Sequence, residues 1–420
     1  MFFLYRTLTT LFFPILIVII FTRKLLGKED RKRYIEKIFI LNNNLDKDNT
    51  IWFHGASIGE IMSAIPLIKN LIEKNNEVKI LVTTVTLSSA RIIEKKFKNN
   101  NRVTHQYFPL DVPFVVRKFL NIWKPKIVLF IDSEIWPNFL IEIKTRKIPL
   151  ILLNGRITKK TFNRWKLFRN FSNKVFSSFD ECLASSKESY ENLKKLNVKN
   201  LKYIGNLKYI SLEGKKQELK NETLKFLNKH QVWCAASTHD GEEEICINVH
   251  KLIKNYHDKL LTIIIPRHIS RTQKIFILCK KYDLNVQILH NEEKINSETE
   301  VLIINSFNQM QKYYSYCKSV FIGKSLLSKL ASVAGQNPIE AAKSGCKIYH
   351  GPFVYNFSEI YEYLNKSKVA EKIENSKELA SKIIEDLKTD KNIDQEKINE
   401  INLYGKDILK ETTNMIIRKL

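Results

Sequence analysis

Three residues in the first half of the chain have the type and setting to handle protons and anions: Glu60, Glu134 and Arg156. Glu60 lies within residues 51–68, Ile-Trp-Phe-His-Gly-Ala-Ser-Ile-Gly-Glu-Ile-Met-Ser-Ala-Ile-Pro-Leu-Ile. Ile51, Trp52 and Phe53 read as a short buried strand. Gly55 to Gly59 reads as a small-residue turn, and Glu60 onward as a helix with apolar residues at Ile61, Ala64, Ile65 and Ile68. Glu60 is therefore expected in the first turn of a helix at the carboxyl end of a strand, where open α/β sheets bind their ligands. The helix dipole stabilises a carboxylate there, and a neighbouring acyl or sugar hydroxyl would meet a placed proton acceptor. The plainer alternative is a surface glutamate at a helix N-terminus; the flanking glycines favour the first reading, because they let a substrate approach the backbone. Asp132-Ser-Glu-Ile-Trp-Pro137 places Glu134 at a second strand end, and Asn154-Gly-Arg156 places Arg156 at a third. The three side chains would share one rim, unless Glu134 and Arg156 form an ion pair that only holds the rim.

The second half offers groups for an anion. Ala236-Ser-Thr-His-Asp-Gly-Glu-Glu243, with Ser237, Thr238 and His239, follows a strand and opens a helix, presenting hydroxyls and backbone N–H groups. Pro266-Arg-His268 adds the guanidinium of Arg267 and the imidazole of His268 for phosphate. Gly335-Gln-Asn-Pro-Ile-Glu340 turns into a helix with Asn337 near its start and Glu340 in its first turn, a place from which a carboxylate can hold the two hydroxyls of a ribose. Together these loops describe a nucleotide site with positive charge for phosphate, and they carry no Asp-x-Asp pair for a metal.

The elements that must position these groups alternate. Residues 78–84, 127–131, 148–153 and 182–185 are strand-like, and 87–97, 136–146 and 187–196 helix-like. A second series of strands falls at 232–236, 260–265, 301–304, 319–322 and 346–349. Strand and helix taking turns means parallel sheets with crossover helices, here two Rossmann-like halves of an α/β chain facing a cleft. The Lys-rich stretch 211–229 is the expected linker. Residues 7–22 are uncharged and mostly apolar, and Arg23, Lys24, Lys28, Arg31, Lys32 and Arg33 follow them, against Arg6 alone before. This favours an uncleaved membrane anchor, spanning or interfacial, with the remainder on the cytoplasmic side; a signal peptide competes, but no Ala-x-Ala-like site follows. Between 162 and 179 basic and aromatic residues interleave, as suits a membrane interface, a helix with its aromatics in the core, or stacking on single-stranded nucleic acid. The formal charge of +25 and pI near 9.6 imply an acidic partner, yet the excess is spread along the chain. Six scattered cysteines read as reduced, buried thiols. The absence of Gly-x-x-x-x-Gly-Lys-Ser/Thr and Gly-x-Gly-x-x-Gly argues against P-loop and dinucleotide enzymes.

In this order the motifs resemble those of the Kdo transferases, which move 3-deoxy-D-manno-octulosonic acid (Kdo) from CMP-Kdo to a lipid A precursor in lipopolysaccharide assembly. The resemblance runs through the anchor, His-Gly-Ala-Ser-Ile-Gly-Glu (54–60), Ser-Glu-Ile-Trp-Pro (133–137), Asn-Gly-Arg (154–156), Gly-Asn-Leu-Lys (205–208), Ala-Ala-Ser-Thr-His-Asp-Gly-Glu-Glu (235–243), Pro-Arg-His (266–268), Asn-Pro-Ile-Glu-Ala-Ala (337–342) and Gly-Pro (351–352). It implies a GT-B glycosyltransferase: an anchor over 1–22, an acceptor domain over 23–210, a CMP-sugar domain over 211–392, and a C-terminal helix, 393–420, packing back on the first domain. Glu60 would be the general base, with Glu134 and Arg156 beside it and Ser57 and Gly59 on the acceptor side. Lys208, Ser237, Thr238, His239, Arg267 and His268 would meet the CMP phosphate and sugar carboxylate, and Asn337 and Glu340 the nucleotide. The implied partners are CMP-Kdo, lipid IVA and inner-membrane lipids, with no nucleic acid, no metal and no cofactor. A single phosphate departing as a monoester needs only fixed cations and helix N-termini, and one base implies inversion of the anomeric centre. The chain departs from the family pattern at Gly323-Lys-Ser325, Ala334-Gly-Gln-Asn337 and Asn305-Ser-Phe307, where the family usually reads Gly-Gly-Ser, Gly-Gly-His-Asn and Gly-Asp-Thr. Lys324 adds a cation beside the expected CMP site, and Gln336 cannot carry a proton charge. The alternatives are a related GT-B transferase using another nucleotide sugar, or a basic membrane-associated binding protein whose site has decayed.

Overall fold

The structure, a computed structural model, describes residues 1–39, 49–210, 219–290, 293–306, 310–389 and 395–420, without the side chains of residues 332 and 333. Residues 211–218 of the expected linker, the 392/393 domain boundary and Phe307 lie outside the described residues. The chain divides into two compact units, one of Met1–Leu212 with Tyr404–Leu420, the other Glu213–Leu403.

The first unit opens with helices α1 (Phe2–Leu11) and α2 (Phe13–Leu25). It continues through β1 (Thr50–His54), α3 (Ile58–Lys74), β2 (Lys79–Thr84), α4 (Leu87–Lys96), β3 (Val103–Tyr107) and α5 (Pro113–Trp123). Then come β4 (Ile127–Ile131), α6 (Pro137–Thr145), β5 (Leu150–Gly155), α7 (Lys159–Lys166), α8 (Arg169–Phe176), β6 (Glu181–Ala184), α9 (Lys187–Lys195) and β7 (Leu201–Lys202). Its sheet has the order β3-β2-β1-β4-β5-β6-β7, with each described pair parallel. β1 and β4 are buried along their whole length, as strands covered by helices on both faces must be. Each Ile, Leu or Phe enclosed there contributes roughly 1.5–3 kcal/mol relative to exposure. The chain winds outward in one direction from β1 and in the other from β4, so the topological switch point lies between them.

The second unit holds α10 (Asn221–Leu227), β8 (Gln231–Thr238), α11 (Glu242–Lys254), β9 (Leu260–Pro266), α12 (Thr272–Lys281), β10 (Val286–Leu289) and β11 (Val301–Ile304). It goes on with α13 (Met310–Tyr314), β12 (Ser319–Ile322), α14 (Ile339–Lys343), β13 (Lys347–His350), α15 (Ser358–Lys366), β14 (Ala370–Lys372) and α16 (Ser376–Lys388). Its parallel sheet runs β10-β11-β9-β8-β12-β13-β14, with the switch point between β8 and β12. The last helix, α17 (Gln395–Ile417), begins in this unit, and its part from Tyr404 onward belongs to the first, where Tyr404 packs on Tyr209 and against Gly205. All six cysteines are free and buried.

The N-terminal apolar run differs from the single segment expected over 7–22. It is two helices that meet at Phe12 with a bend of 54°, because Pro14, in the first turn of α2, has no N–H to continue the ladder. No single described helix is long and apolar enough to cross a membrane; the bent pair together meets that test of length and composition. Side-chain contacts tie α1 and the start of α2 to their own unit. The Tyr5 hydroxyl donates to Asp111 Oδ2 at 2.8 Å, Asn138 Nδ2 donates to Thr9 Oγ1 at 3.2 Å, and Phe13 meets Phe114 edge to face. Burial pushes the Asp111 carboxyl up to about 6 even though Tyr5 and the backbone N–H groups of Asn138 and Phe139 donate to it. The basic aromatic stretch 162–179 folds as α7 and α8. Phe176 and Phe179 are in the core, Phe162, Trp165 and Phe171 pack on it, and Leu167 and Phe168 at the turn between the helices stay exposed.

Candidate active site

In the first unit the chemistry gathers at the switch point. Leaving β1, the chain turns into α3 through a capping box. Ser57 is the N-cap, its Oγ accepts from the Glu60 N–H at 3.4 Å, and the Glu60 carboxylate reaches back to the N–H of Ala56 at 2.6 Å and the Ser57 hydroxyl at 2.6 Å. The same side chain thus closes the helix and faces the strand ends. Burial is the largest influence on it, and the negative charges of Asp132 and Glu134 add to it. Against the hydrogen bonds from Ser57 and Ala56, the net effect raises the Glu60 carboxyl above the ordinary range. Gly59 is exposed, with open space where a Cβ would stand, so packing does not account for a glycine there.

Glu134 follows β4 and is held from two sides. His54 Nε2 donates to its Oε2 at 2.9 Å and Trp136 Nε1 donates to the same oxygen at 2.7 Å. His54 is fully buried at the end of β1, stacked on Phe108 with ring centroids 3.7 Å apart, and its Nδ1 is 3.0 Å from the Thr83 hydroxyl. Burial works to raise the Glu134 carboxyl, but the hydrogen bond and charge of His54, with the Trp136 bond, outweigh it and hold the group below its ordinary value. Arg156 stands on the neighbouring loop; its N–H donates to the Asp132 carbonyl at 3.0 Å and its carbonyl accepts from the Ser133 hydroxyl at 2.9 Å. Asp132 and Asn154 both sit in the left-handed region, at φ 58° and 54°, which Asp and Asn tolerate, and the Asn154 amide donates to Asp132. Lys208, implied for the donor, belongs to this first unit, its ammonium 3.8 Å from Asp132 Oδ2.

His54 and Asp132 were not singled out from the sequence. The signal was present: a histidine ending a strand of apolar residues, and an acid opening the turn that carries Glu134.

The second unit repeats the arrangement between β8 and β12. Ser237 is nearly buried at φ 57°, with its hydroxyl on the Met310 sulfur at 3.7 Å. The Thr238 side chain is fully enclosed and its hydroxyl has no hydrogen-bond partner among the described residues, so it does not face solvent as expected. His239 is half-buried, its Nδ1 3.1 Å from the Ser237 carbonyl, and its ring lies 5.9 Å from that of His268. Burial holds the His239 imidazole below its ordinary range, and the charges of Lys324 and His268 act the same way against the Ser237 carbonyl. Arg267 and His268 leave β9 exposed. The N–H groups expected to meet an anion are partly engaged within the fold, since fully buried Glu242 accepts from the His239 N–H at 2.9 Å. Asn337 lies just before Pro338, the N-cap of the short α14, and its Oδ1 accepts from the Ile339 N–H at 3.1 Å. Glu340 is half-buried, and burial raises its carboxyl against a hydrogen bond from Gln311.

Two doubly wound parallel sheets, each bringing polar side chains to its switch point, make up the α/β fold of the two-domain GT-B class. Solved structures share the fold. A UDP-GlcNAc 2-epimerase from Neisseria meningitidis is 12% identical, with 88% of this chain and 99% of that chain covered at a TM-score of 0.58. The glycotransferase of kitacinnamycin is 11% identical over 88% and 99%, at 0.54. Residues 30–211 match the family model described as 3-deoxy-D-manno-octulosonic-acid transferase (kdotransferase). The 3-deoxy-D-manno-octulosonic acid transferase of Rickettsia bellii is 33% identical over 380 residues, 90% of this chain and 88% of that protein. The transferase of the same name from Haemophilus influenzae is 26% identical over 423 residues, 100% and 97%. The chain belongs to the Kdo transferase family. It is a glycosyltransferase, and Kdo transfer in lipopolysaccharide biosynthesis is the activity that membership carries.

Proposed function

We propose that this chain transfers Kdo from CMP-Kdo to a lipid A precursor of the lipid IVA type, with inversion at the anomeric carbon and without a metal ion. Glu60 takes the proton of the acceptor hydroxyl as its oxygen bonds to the anomeric carbon; the bond from that carbon to the phosphate oxygen breaks, and CMP leaves. Arg267 and His268, with Ser237 and His239 near them, receive the donor phosphate and carboxylate, and Asn337 and Glu340 receive the nucleoside. Fixed cations supply the charge stabilisation such a leaving group requires. Lys208 reaches the donor only by sharing or leaving Asp132. Thr238 acts through its place in β8 rather than its hydroxyl.

The observation that carries this reading is the setting of Glu60. A carboxyl raised above its ordinary value by burial and by two neighbouring acids, at the start of a helix beside an open glycine, has the properties of a base rather than a mere cap. We place the chain on the cytoplasmic side of the cell inner membrane. Phe3, Leu11, Ile15, Val18 and Leu25 leave an apolar face exposed on α1 and α2, and Arg23 and Lys24 end α2.

The test is Glu60→Gln, assayed with CMP-Kdo and lipid IVA and read by mass analysis of the lipid product. Transfer should fall on the order of a hundredfold or more with CMP binding kept. Transfer at the wild-type rate would remove Glu60 from the role of base.

A further inference from the structure

Lys324 stands in the turn that leaves β12, at φ 60°, a conformation in which any side chain is strained. Such strain persists where the surroundings over-determine the backbone, and it gathers at functional sites. Here Glu242 does the fixing. Its carboxylate accepts the N–H groups of Lys324 at 2.6 Å, Ser325 at 3.0 Å and Leu326 at 3.3 Å, besides that of His239, while the Lys324 carbonyl accepts the Gly335 N–H at 2.8 Å. Gly323 has no room for a Cβ, which would lie 2.7 Å from the Thr238 Cα. The turn is clamped against the end of β8.

That clamp sets a half-buried ammonium within electrostatic reach of Arg267 and His239. Among the described residues neither the Lys324 ammonium nor the Arg267 guanidinium has a hydrogen-bond or ion-pair partner. The nearby acids are otherwise engaged: Glu242 by four N–H groups, Glu243 by both arms of Arg271, and Asp240 by Arg271, Lys274 and Lys329. Burial, then the charge of Arg267, holds the lysine below its ordinary value against the pull of Glu242. Two neighbouring cations with no ion pair of their own among the described residues, beside a strained and fixed backbone, describe a place prepared for an anion.

We propose that Lys324 is a donor-recognition residue that binds, together with Arg267, the phosphate of the nucleotide sugar. This rests on reading the second unit as the donor unit. The phosphodiester of the donor carries one negative charge and the departing monoester gains a second. A second cation therefore counts for more as the bond to the sugar breaks.

The experiment is calorimetric titration of CMP and of cytidine into the full chain, as wild type, Lys324→Gly and Lys324→Arg, with an unfolding temperature for each. Wild type should bind CMP more tightly than cytidine. Lys324→Gly should lose about tenfold in CMP affinity, as for one charge-assisted hydrogen bond, with cytidine affinity unchanged. Lys324→Arg should keep most of the CMP affinity. The glycine variant should unfold no lower than wild type, because glycine is unstrained at this φ. Equal CMP affinity in Lys324→Gly, or an equal loss for cytidine, overturns the assignment of Lys324 alone. A wild-type chain that binds no CMP overturns the donor-unit reading as well.

Discussion

Glu60 and Glu134 belong to one rim, yet their surroundings push them apart: burial and like charge raise the first, and His54 with Trp136 holds the second down. Paired carboxyls driven in opposite directions divide the work, the raised one exchanging protons and the lowered one staying ionised. Glu134 is itself one of the charges that raise Glu60. Glu134→Gln removes that charge, so Glu60 loses its proton more readily, and the acidic limb of kcat/KM should move to lower pH. A limb that stays in place or moves upward in the pH profile of the variant would show that Glu60 is not the titrating group. At this scale the sequence showed where acids lie on strand ends, because strand, turn and helix are local patterns. It did not show that Glu134 is oriented by His54, a residue 80 positions away, or that Lys208 faces Asp132. Such pairs exist only once β1, β4 and β5 lie side by side.

Secondary elements were legible in proportion to their apolar content. The runs that became β1, β4, β9 and β12 are almost wholly buried, whereas β3, Val-Thr-His-Gln-Tyr, gives no such signal and is a strand because β2 pairs with it. The division of α1 from α2 turns on Pro14, a residue visible in the sequence whose consequence is a bend rather than an interruption within one span. Less legible still was the joint between β8, α11 and β12. Glu242 and Glu243 read as acids at a helix start, but Glu242 is fully buried and ties two strand-end turns together through four backbone N–H groups. Glu242→Gln places an amide NH2 against donors and leaves at least one of them without an acceptor inside the fold. The loss should be about 3 kcal/mol in urea unfolding. A variant within about 0.5 kcal/mol of wild type would mean that the turns hold their shape without this carboxylate.

Across the whole molecule, the basic excess has a counterpart in apolar exposure concentrated near the N-terminus. Val18 is 60% exposed and Ile19 46% on α2, with Leu167 77% exposed between α7 and α8. Lys174 of α8 lies over the Phe2 ring of α1 at 4.7 Å, so basic and apolar groups of distant sequence share one region of the first unit. Exposed apolar side chains rimmed by lysine and arginine fit an anionic lipid surface, with each cation near it worth about 1 kcal/mol and each fully buried aliphatic side chain roughly 1.5–3 kcal/mol. The two contributions separate by salt, because charge is screened within a Debye length and apolar contact is not. Vesicles of phosphatidylglycerol should therefore bind the full chain more tightly than vesicles of phosphatidylcholine, and raising the salt should erase that difference while leaving residual binding to both. Val18→Asp with Ile19→Asp should lower that salt-resistant binding by at least about tenfold in a flotation assay, while CMP affinity, which we assign to the second unit, should stay as in wild type. Unchanged flotation of the double variant would mean that α2 does not meet lipid, and attachment would then have to come from charge alone.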